Sequence, residues 1–185
     1  MQLGNTQVEE IFNSTFSESY KTILIGGFSE PEYLPAGPIQ PARIQYRADY
    51  VESSLHEAAH WCLAGEKRRK LNDYGYWYSP DGRDKNQQQK FFEVEVKPQA
   101  LEWIISSAAG VSFKPSVDNL HLDPQSLERM TADFIEKMKA QAISYLNEEL
   151  FLGDLSHRAL RFAMALRDAS GSELVTADEI HEAVF

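Results

Sequence analysis

Two histidines flank a glutamate in the short segment HEAAH, which begins at His56. Histidines four apart on a helix project from the same face about one turn apart, so the rings of His56 and His60 can bind one metal ion. In sites with this H-E-x-x-H pattern, the glutamate, here Glu57, contacts the metal-bound water as a general base. The spacing therefore predicts a catalytic metal site.

A third ligand is expected, because catalytic metal ions usually take three protein ligands. The stretch FEVEVKPQALEW, residues 92–103, supplies Glu93, Glu95 and Glu102. Its alternation of residue types predicts an extended segment, in which Glu93 and Glu95 point to the same side. We expect Glu95 to be the ligand because it lies nearer the helix that Pro98 would open; Glu93 is the alternative.

The composition favours one domain, residues 1–185, and excludes several kinds of partner. Of the 185 residues, 43% are hydrophobic, which is enough for a continuous core. A net charge of −10 repels phosphates, so no nucleic acid partner is expected. The sequence shows no signal peptide and no membrane span. With Cys62 as its single cysteine, the chain is expected in the cytoplasm, without membrane association.

Periodicity and turn residues predict an α+β fold, in which a small mixed sheet packs against helices and the histidine motif lies on a central helix. Strands are predicted at 22–25, 43–47 and 74–78. Helices are predicted at 7–20, about 50–64, 98 to about 110, 126–150, 155–169 and 176–184. The basic cluster at 67–70 follows the motif helix, and we interpret it as capping that helix in preference to binding phosphate.

Three blocks of this sequence resemble the elongation factor P hydroxylases of gamma-proteobacteria. They are LHEAAHWCLAG from Leu55, DYGYWYSPDGRD from Asp73 and VEVKPQALEW from Val94, and AAG follows at 108–110. The resemblance covers about residues 53–120, which would be the catalytic part. The predicted helical part, about 124–185, carries little distinctive similarity.

This resemblance implies an enzyme that hydroxylates a lysine of elongation factor P after that lysine has received a β-lysyl group. It also implies a fold similar to a small bacterial metal-dependent ribonuclease. By position, His56, His60 and Glu95 correspond to a two-histidine, one-carboxylate site such as non-haem iron oxygenases have. Iron(II) and molecular oxygen are then expected, and Glu57 would orient a metal-bound ligand.

The second block supplies candidates for binding the modified lysine, which carries two ammonium groups. Aromatic faces and carboxylates bind such groups, so Tyr76, Trp77, Tyr78 and Asp81 are predicted to line its pocket. Aromatic residues on a strand more often belong to the core, and that alternative stays open.

Other functions are compatible with the motif. In a zinc peptidase, Glu57 would deprotonate the metal-bound water, and the five-residue pattern by itself favours this class. A metal-dependent ribonuclease is suggested by fold analogy, which is weak ground for function, and the acidic charge opposes it. A non-catalytic module with a structural metal is a further alternative. Such sites normally have four ligands, often cysteines, and this chain has one cysteine.

Overall fold

The N-terminal part of the chain forms a small mixed sheet. The computed structural model describes residues 1–48, 50–75, 83–117, 123–146 and 154–185. Helix α1 (Asn5–Tyr20) is followed by strands β1 (Thr22–Phe28), β2 (Glu32–Leu34) and β3 (Ala42–Arg47). The strand order is β1-β3-β2, with β1 parallel and β2 antiparallel to β3. The unpredicted β2 is an edge strand, which suits its proline-rich surroundings.

The remaining described elements are mostly helical. They are α2 (Val51–Leu63), α3 (Lys85–Ala108), α4 (Pro124–Ser144), α5 (Asp154–Ser170) and α6 (Ala177–Glu182), with short 3-10 turns at Arg68–Lys70 and Asn72–Gly75 between α2 and α3. The predicted α+β class with a small mixed sheet is confirmed, in a single domain. The predicted motif helix agrees with α2 to within about one residue.

An aromatic cluster fixes helix α2 against α1 and α5. Trp61 of α2 is fully buried, and its ring lies 5.1 Å from Phe12 and 4.9 Å from Phe16 of α1. Phe162 of α5 packs 5.3 Å from Phe12. Burying a side chain of this size stabilises the fold by about 1.5–3 kcal/mol. The face of α2 that carries Trp61 therefore holds the helix in place and leaves the face with the histidines available.

Two predictions about the segment after α2 are wrong. Residues 92–97 are helical, and Pro98 lies inside α3 instead of opening it. The helix begins earlier because Asp84 and Gln87 form a capping box at its start. Its buried side chains include Phe92, Glu95 and Glu102, a helical spacing that the alternation FEVEV masks.

The predicted aromatic strand at 74–78 is also corrected in part. Tyr74 and Gly75 belong to the second 3-10 turn, in which Asp73 and Tyr74 both have a positive φ, 46° and 56°. The backbone conformation needed for a strand is thus absent at Tyr74. Residues 76–78 lie outside the described part of the chain.

Candidate metal centre

Helices α2 and α3 bring two imidazoles and one carboxylate to the same point. The Nε2 atoms of His56 and His60 lie 3.0 Å apart. Glu95 Oε2 lies 3.6 Å from His56 Nε2, and Glu95 Oε1 lies 3.3 Å from His60 Nε2. Glu95 is only 2% exposed. Three candidate ligand atoms therefore surround one position at the contact between the two helices.

The three side chains fit a divalent metal ion. Their ligand atoms all lie within 4.8 Å of one another. Two atoms about 2.1 Å from one ion lie roughly 3.0 to 3.6 Å apart when they subtend about 90 to 120° at it, and the separations given above fall in this range. Nitrogen and oxygen donors of this kind suit zinc as well as iron(II). The donor set thus supports a divalent metal without selecting the element.

A second carboxylate from α3 orients His56. His56 Nδ1 lies 2.8 Å from Glu102 Oε2, and because a carboxylate can only accept, His56 donates through Nδ1–H. In the neutral ring, Nε2 then carries the lone pair that a metal ligand needs. Glu102 follows Glu95 by seven residues, two helical turns, so both carboxylates face α2. The sequence interpretation missed this role because it treated the residues before Pro98 as extended, and so did not place Glu95 and Glu102 on one helix face.

The electrostatics favour opposite charges on the candidate ligands. Burial disfavours a charged His56, but the carboxylates of Glu102, Glu95 and Glu57 outweigh it and raise the pKa of His56 to about 10. Burial likewise opposes ionisation of Glu95, yet His60 and His56 lower its pKa to about 2. Without metal, a proton on His56 therefore supplies positive charge at the position that a cation would take.

Gln99 ties Glu95 to the segment that follows α3. Its Nε2 lies 3.3 Å from Glu95 Oε2 and donates to the Ser116 carbonyl at 3.0 Å, while its Oε1 accepts from Ser116 N at 2.9 Å. Gln99 is fully buried. Gln99 consequently helps to fix the orientation of the Glu95 carboxylate.

Glu57 and Tyr74 are two further ionisable residues whose pKa values are shifted at this site. Burial, with smaller contributions from Glu95 and Glu102, raises the pKa of Glu57. Burial and the Glu57 carboxylate raise the pKa of Tyr74 well above 10. The Tyr74 hydroxyl is buried and has no hydrogen-bond partner among the described residues, and its ring stacks on Tyr33 with centroids 4.2 Å apart. This buried phenol therefore interacts electrostatically with the candidate base, Glu57.

Two arginines cap the end of the motif helix. The buried Arg158 of α5 donates through Nη2 to the carbonyls of Cys62 (3.0 Å) and Ala64 (2.7 Å), and Arg69 Nη1 donates to Ala64 O at 2.7 Å. These bonds satisfy carbonyls that a helix C-terminus leaves unpaired. The capping predicted for the basic cluster thus holds for Arg69. Cys62 is buried, as expected for a structural residue.

A cavity of about 1340 Å³ leads from the candidate site toward solvent. His60 and Tyr74 line it together with residues of α2, α3, α4 and the first 3-10 turn. Glu93, the alternative ligand, is exposed and lines this cavity instead of facing the histidines. Because α3 is a helix, Glu93 and Glu95 point in different directions, and the expectation that they share a side is wrong.

Four residues predicted to bind substrate, Tyr76, Trp77, Tyr78 and Asp81, lie outside the described residues. Among the helices that are described, none is both long and apolar enough to cross a bilayer.

Comparison with known proteins gives the same family as the sequence resemblance. A family model described as elongation factor P hydroxylase matches residues 11–180. The elongation factor P lysine hydroxylase of Haemophilus influenzae is 48% identical over 133 residues, which cover 71% of this chain and 75% of that protein. On this evidence, the chain belongs to the elongation factor P hydroxylase family.

Proposed function

We propose that this protein hydroxylates the β-lysylated lysine of elongation factor P with iron(II) and molecular oxygen. The observation that carries the proposal is the convergence of His56, His60 and Glu95 in a chain of this family. Two imidazoles and one carboxylate would hold the iron through three ligands, a donor set that leaves positions for others. The proposed setting is the cytoplasm, which suits a translation factor as substrate and a chain with one free cysteine.

In the proposed site, each residue has a defined task. His56, His60 and Glu95 would hold the metal, which when bound supplies the redox chemistry needed to oxidise an unactivated C–H bond. Glu102 holds the Nδ1 proton of His56, so that Nε2 faces the metal position. Glu57, whose pKa burial raises, exchanges a proton with a ligand in the site.

The cavity would admit the modified side chain. A lysine extended by a lysyl group is long and flexible, and a cavity of about 1340 Å³ that reaches His60 gives it room. The carboxylates of Glu57, Glu95 and Glu102, which act electrostatically on His56 next to His60, add negative charge near this end of the cavity. This charge favours the two ammonium groups of the substrate over a neutral side chain. Tyr76, Trp77, Tyr78 and Asp81 remain candidates for additional contacts.

The test is a mass measurement on purified components. Protein reconstituted with iron(II) under anaerobic conditions, then given air and a reductant, is expected to add one oxygen atom to β-lysylated elongation factor P. Unmodified elongation factor P and zinc-loaded protein are the controls, because zinc is redox-inert. Full activity of His56→Ala or His60→Ala would contradict the assignment.

Glu57→Gln separates this proposal from a zinc peptidase. A peptidase needs the glutamate to deprotonate water and is expected to lose essentially all turnover. A hydroxylase in which Glu57 only exchanges protons with a bound ligand is expected to keep measurable activity. Incubation of zinc-loaded protein with elongation factor P should accordingly leave the polypeptide uncleaved.

A further inference from the structure

The mouth of the cavity is basic, although the chain as a whole is acidic. Four cations line the cavity, and we refer to them as the basic rim: Lys67, Arg68, Lys97 and Lys137. All four are exposed. Two carboxylates, Glu66 and Glu93, also line it, so among the described lining residues cations predominate in a chain whose net charge is −10.

The cations come from different walls of the cavity. Lys67 and Arg68 follow α2, Lys97 lies on α3 and Lys137 lies on α4. Their positive charge is therefore spread over several elements that line the cavity and does not form a stripe along one helix. Exposed charge of this kind acts on whatever covers the cavity.

Helix capping does not account for the whole rim. Arg68 donates to the Tyr74 carbonyl, and Lys137 pairs with Asp133 at 2.7 Å, so both have structural roles. Lys97, by contrast, lies in the middle of α3, far from the carbonyls that a basic residue can cap. Neither Lys67 nor Lys97 has a hydrogen bond or ion pair with the described residues.

We infer that the basic rim is the docking surface for an acidic patch on a folded protein, at the base of the lysine that enters the cavity. This inference rests on the proposed function, which makes the substrate a protein. The rim opposes entry of a free dication but attracts a lysine presented within acidic surroundings. Recognition is thereby divided: the rim binds the carrier protein, and the end of the cavity at His60 receives the side chain.

A folded protein fits the rim better than a nucleic acid does. Glu66 directly precedes Lys67, and Glu93 lies about one helical turn before Lys97. These two lining carboxylates would repel a continuous phosphate backbone. A protein surface can place its own cations opposite these two glutamates and its carboxylates opposite the lysines. The net charge of −10 adds a long-range repulsion against any polyanion.

The test compares two double variants with the same change in net charge. Lys67→Glu with Lys97→Glu reverses the two rim cations that pair with no described residue. Lys90→Glu with Lys114→Glu is the matched control, because both lysines are exposed and neither lines the cavity. Each variant is assayed for hydroxylation of β-lysylated elongation factor P, for iron(II) affinity and for melting temperature.

The rim variant is expected to raise KM about tenfold or more, with kcat within about twofold of the unaltered protein, because charges at an interface rim act mainly on association. Raising the salt concentration from about 50 to about 300 mM should raise the KM of the unaltered protein and change that of the rim variant much less. Iron(II) affinity and melting temperature should match those of the control.

Equal KM values for the two double variants would overturn the inference while leaving the proposed function intact. A fall in kcat at unchanged KM would also overturn it, because the rim would then act on chemistry. Tighter binding of single-stranded RNA than of elongation factor P, measured by fluorescence anisotropy, would assign the rim to nucleic acid instead. No hydroxylation by the unaltered protein would remove both the inference and the proposed function.

A short β-lysylated peptide without acidic residues sharpens the test. Its side chain can enter the cavity, but it has no acidic patch to meet the rim. The two double variants should therefore process this peptide with equal kcat/KM. A lower kcat/KM for this peptide in the rim variant alone would indicate that Lys67 and Lys97 bind the modified side chain. That result would contradict a role in docking the carrier protein.

Discussion

The inner end and the mouth of the cavity are built on different physical principles. At the inner end, His60 belongs to a site in which contacts of 2.8 to 3.6 Å join the side chains of His56, His60, Glu95 and Glu102. At the mouth, Lys67 and Lys97 are exposed and have no ion pair with the part of the chain that the structure describes. Chemistry requires fixed geometry, whereas attraction of a partner requires only charge. Changes at the inner end should therefore affect metal binding and kcat, and changes at the mouth should affect KM.

The largest expected effect distinguishes Glu95 from Glu93, two residues away on the same helix. Glu95→Ala removes one of three candidate ligands, so hydroxylation should fall on the order of a thousandfold and iron(II) should bind much more weakly. Glu93→Ala is the matched control and should retain iron(II) affinity. Isothermal titration with iron(II) under anaerobic conditions measures both variants. An equal loss of iron(II) affinity in the two variants would contradict the assignment of Glu95 as a ligand.

Glu102→Gln tests the carboxylate that orients His56. An amide can still accept from Nδ1–H but carries no charge, so the basicity of His56 toward a metal decreases. We expect iron(II) affinity to fall about 10- to 100-fold, with a smaller loss of kcat at saturating metal. Circular dichroism should report an intact fold. Unchanged affinity would show that Glu102 has only a packing role.

Metal binding should strengthen as the pH rises. The carboxylates raise the pKa of His56 to about 10 in the metal-free protein, so below that pH a metal ion must displace a proton. The dissociation constant should then fall about tenfold for each unit between roughly pH 6 and pH 8. Glu102→Gln removes one cause of the raised pKa and should flatten this dependence. A constant that does not change with pH would contradict the prediction.

The smallest expected effect separates the two stacked tyrosines. Tyr33 donates its hydroxyl to the Arg69 carbonyl at 2.8 Å, so Tyr33→Phe should lower the free energy of unfolding by about 1 kcal/mol. Tyr74→Phe removes a buried hydroxyl that has no hydrogen-bond partner among the described residues, and it should leave the stability unchanged or raise it slightly. Urea denaturation measures the free energy of unfolding of both variants. A larger decrease for Tyr74→Phe than for Tyr33→Phe would contradict this prediction.

Local sequence was sufficient to predict the motif helix, α2, but not the full extent of α3, the helix that supplies the carboxylates. The spacing of His56 and His60, with a change of composition at Gly65, indicates the helix and its ligand face. In the next helix, the alternation FEVEV and an internal proline both suggest a strand that ends at Pro98. Neighbouring elements override this local preference, because burying Phe92 and Glu95 on one face requires helical spacing.

The sequence by itself determined the class of site: two histidines on one helix face, an acidic side chain close by in the chain, and a family resemblance that the comparisons confirm. Only the tertiary structure decided which carboxylate faces the histidines, that Glu102 orients His56, and that cations from different elements line one cavity. The physical reason is the distance along the chain over which the interactions act. Spacing within one helix fixes the direction of a side chain, but contacts between α2, α3 and α4 depend on how the whole core packs.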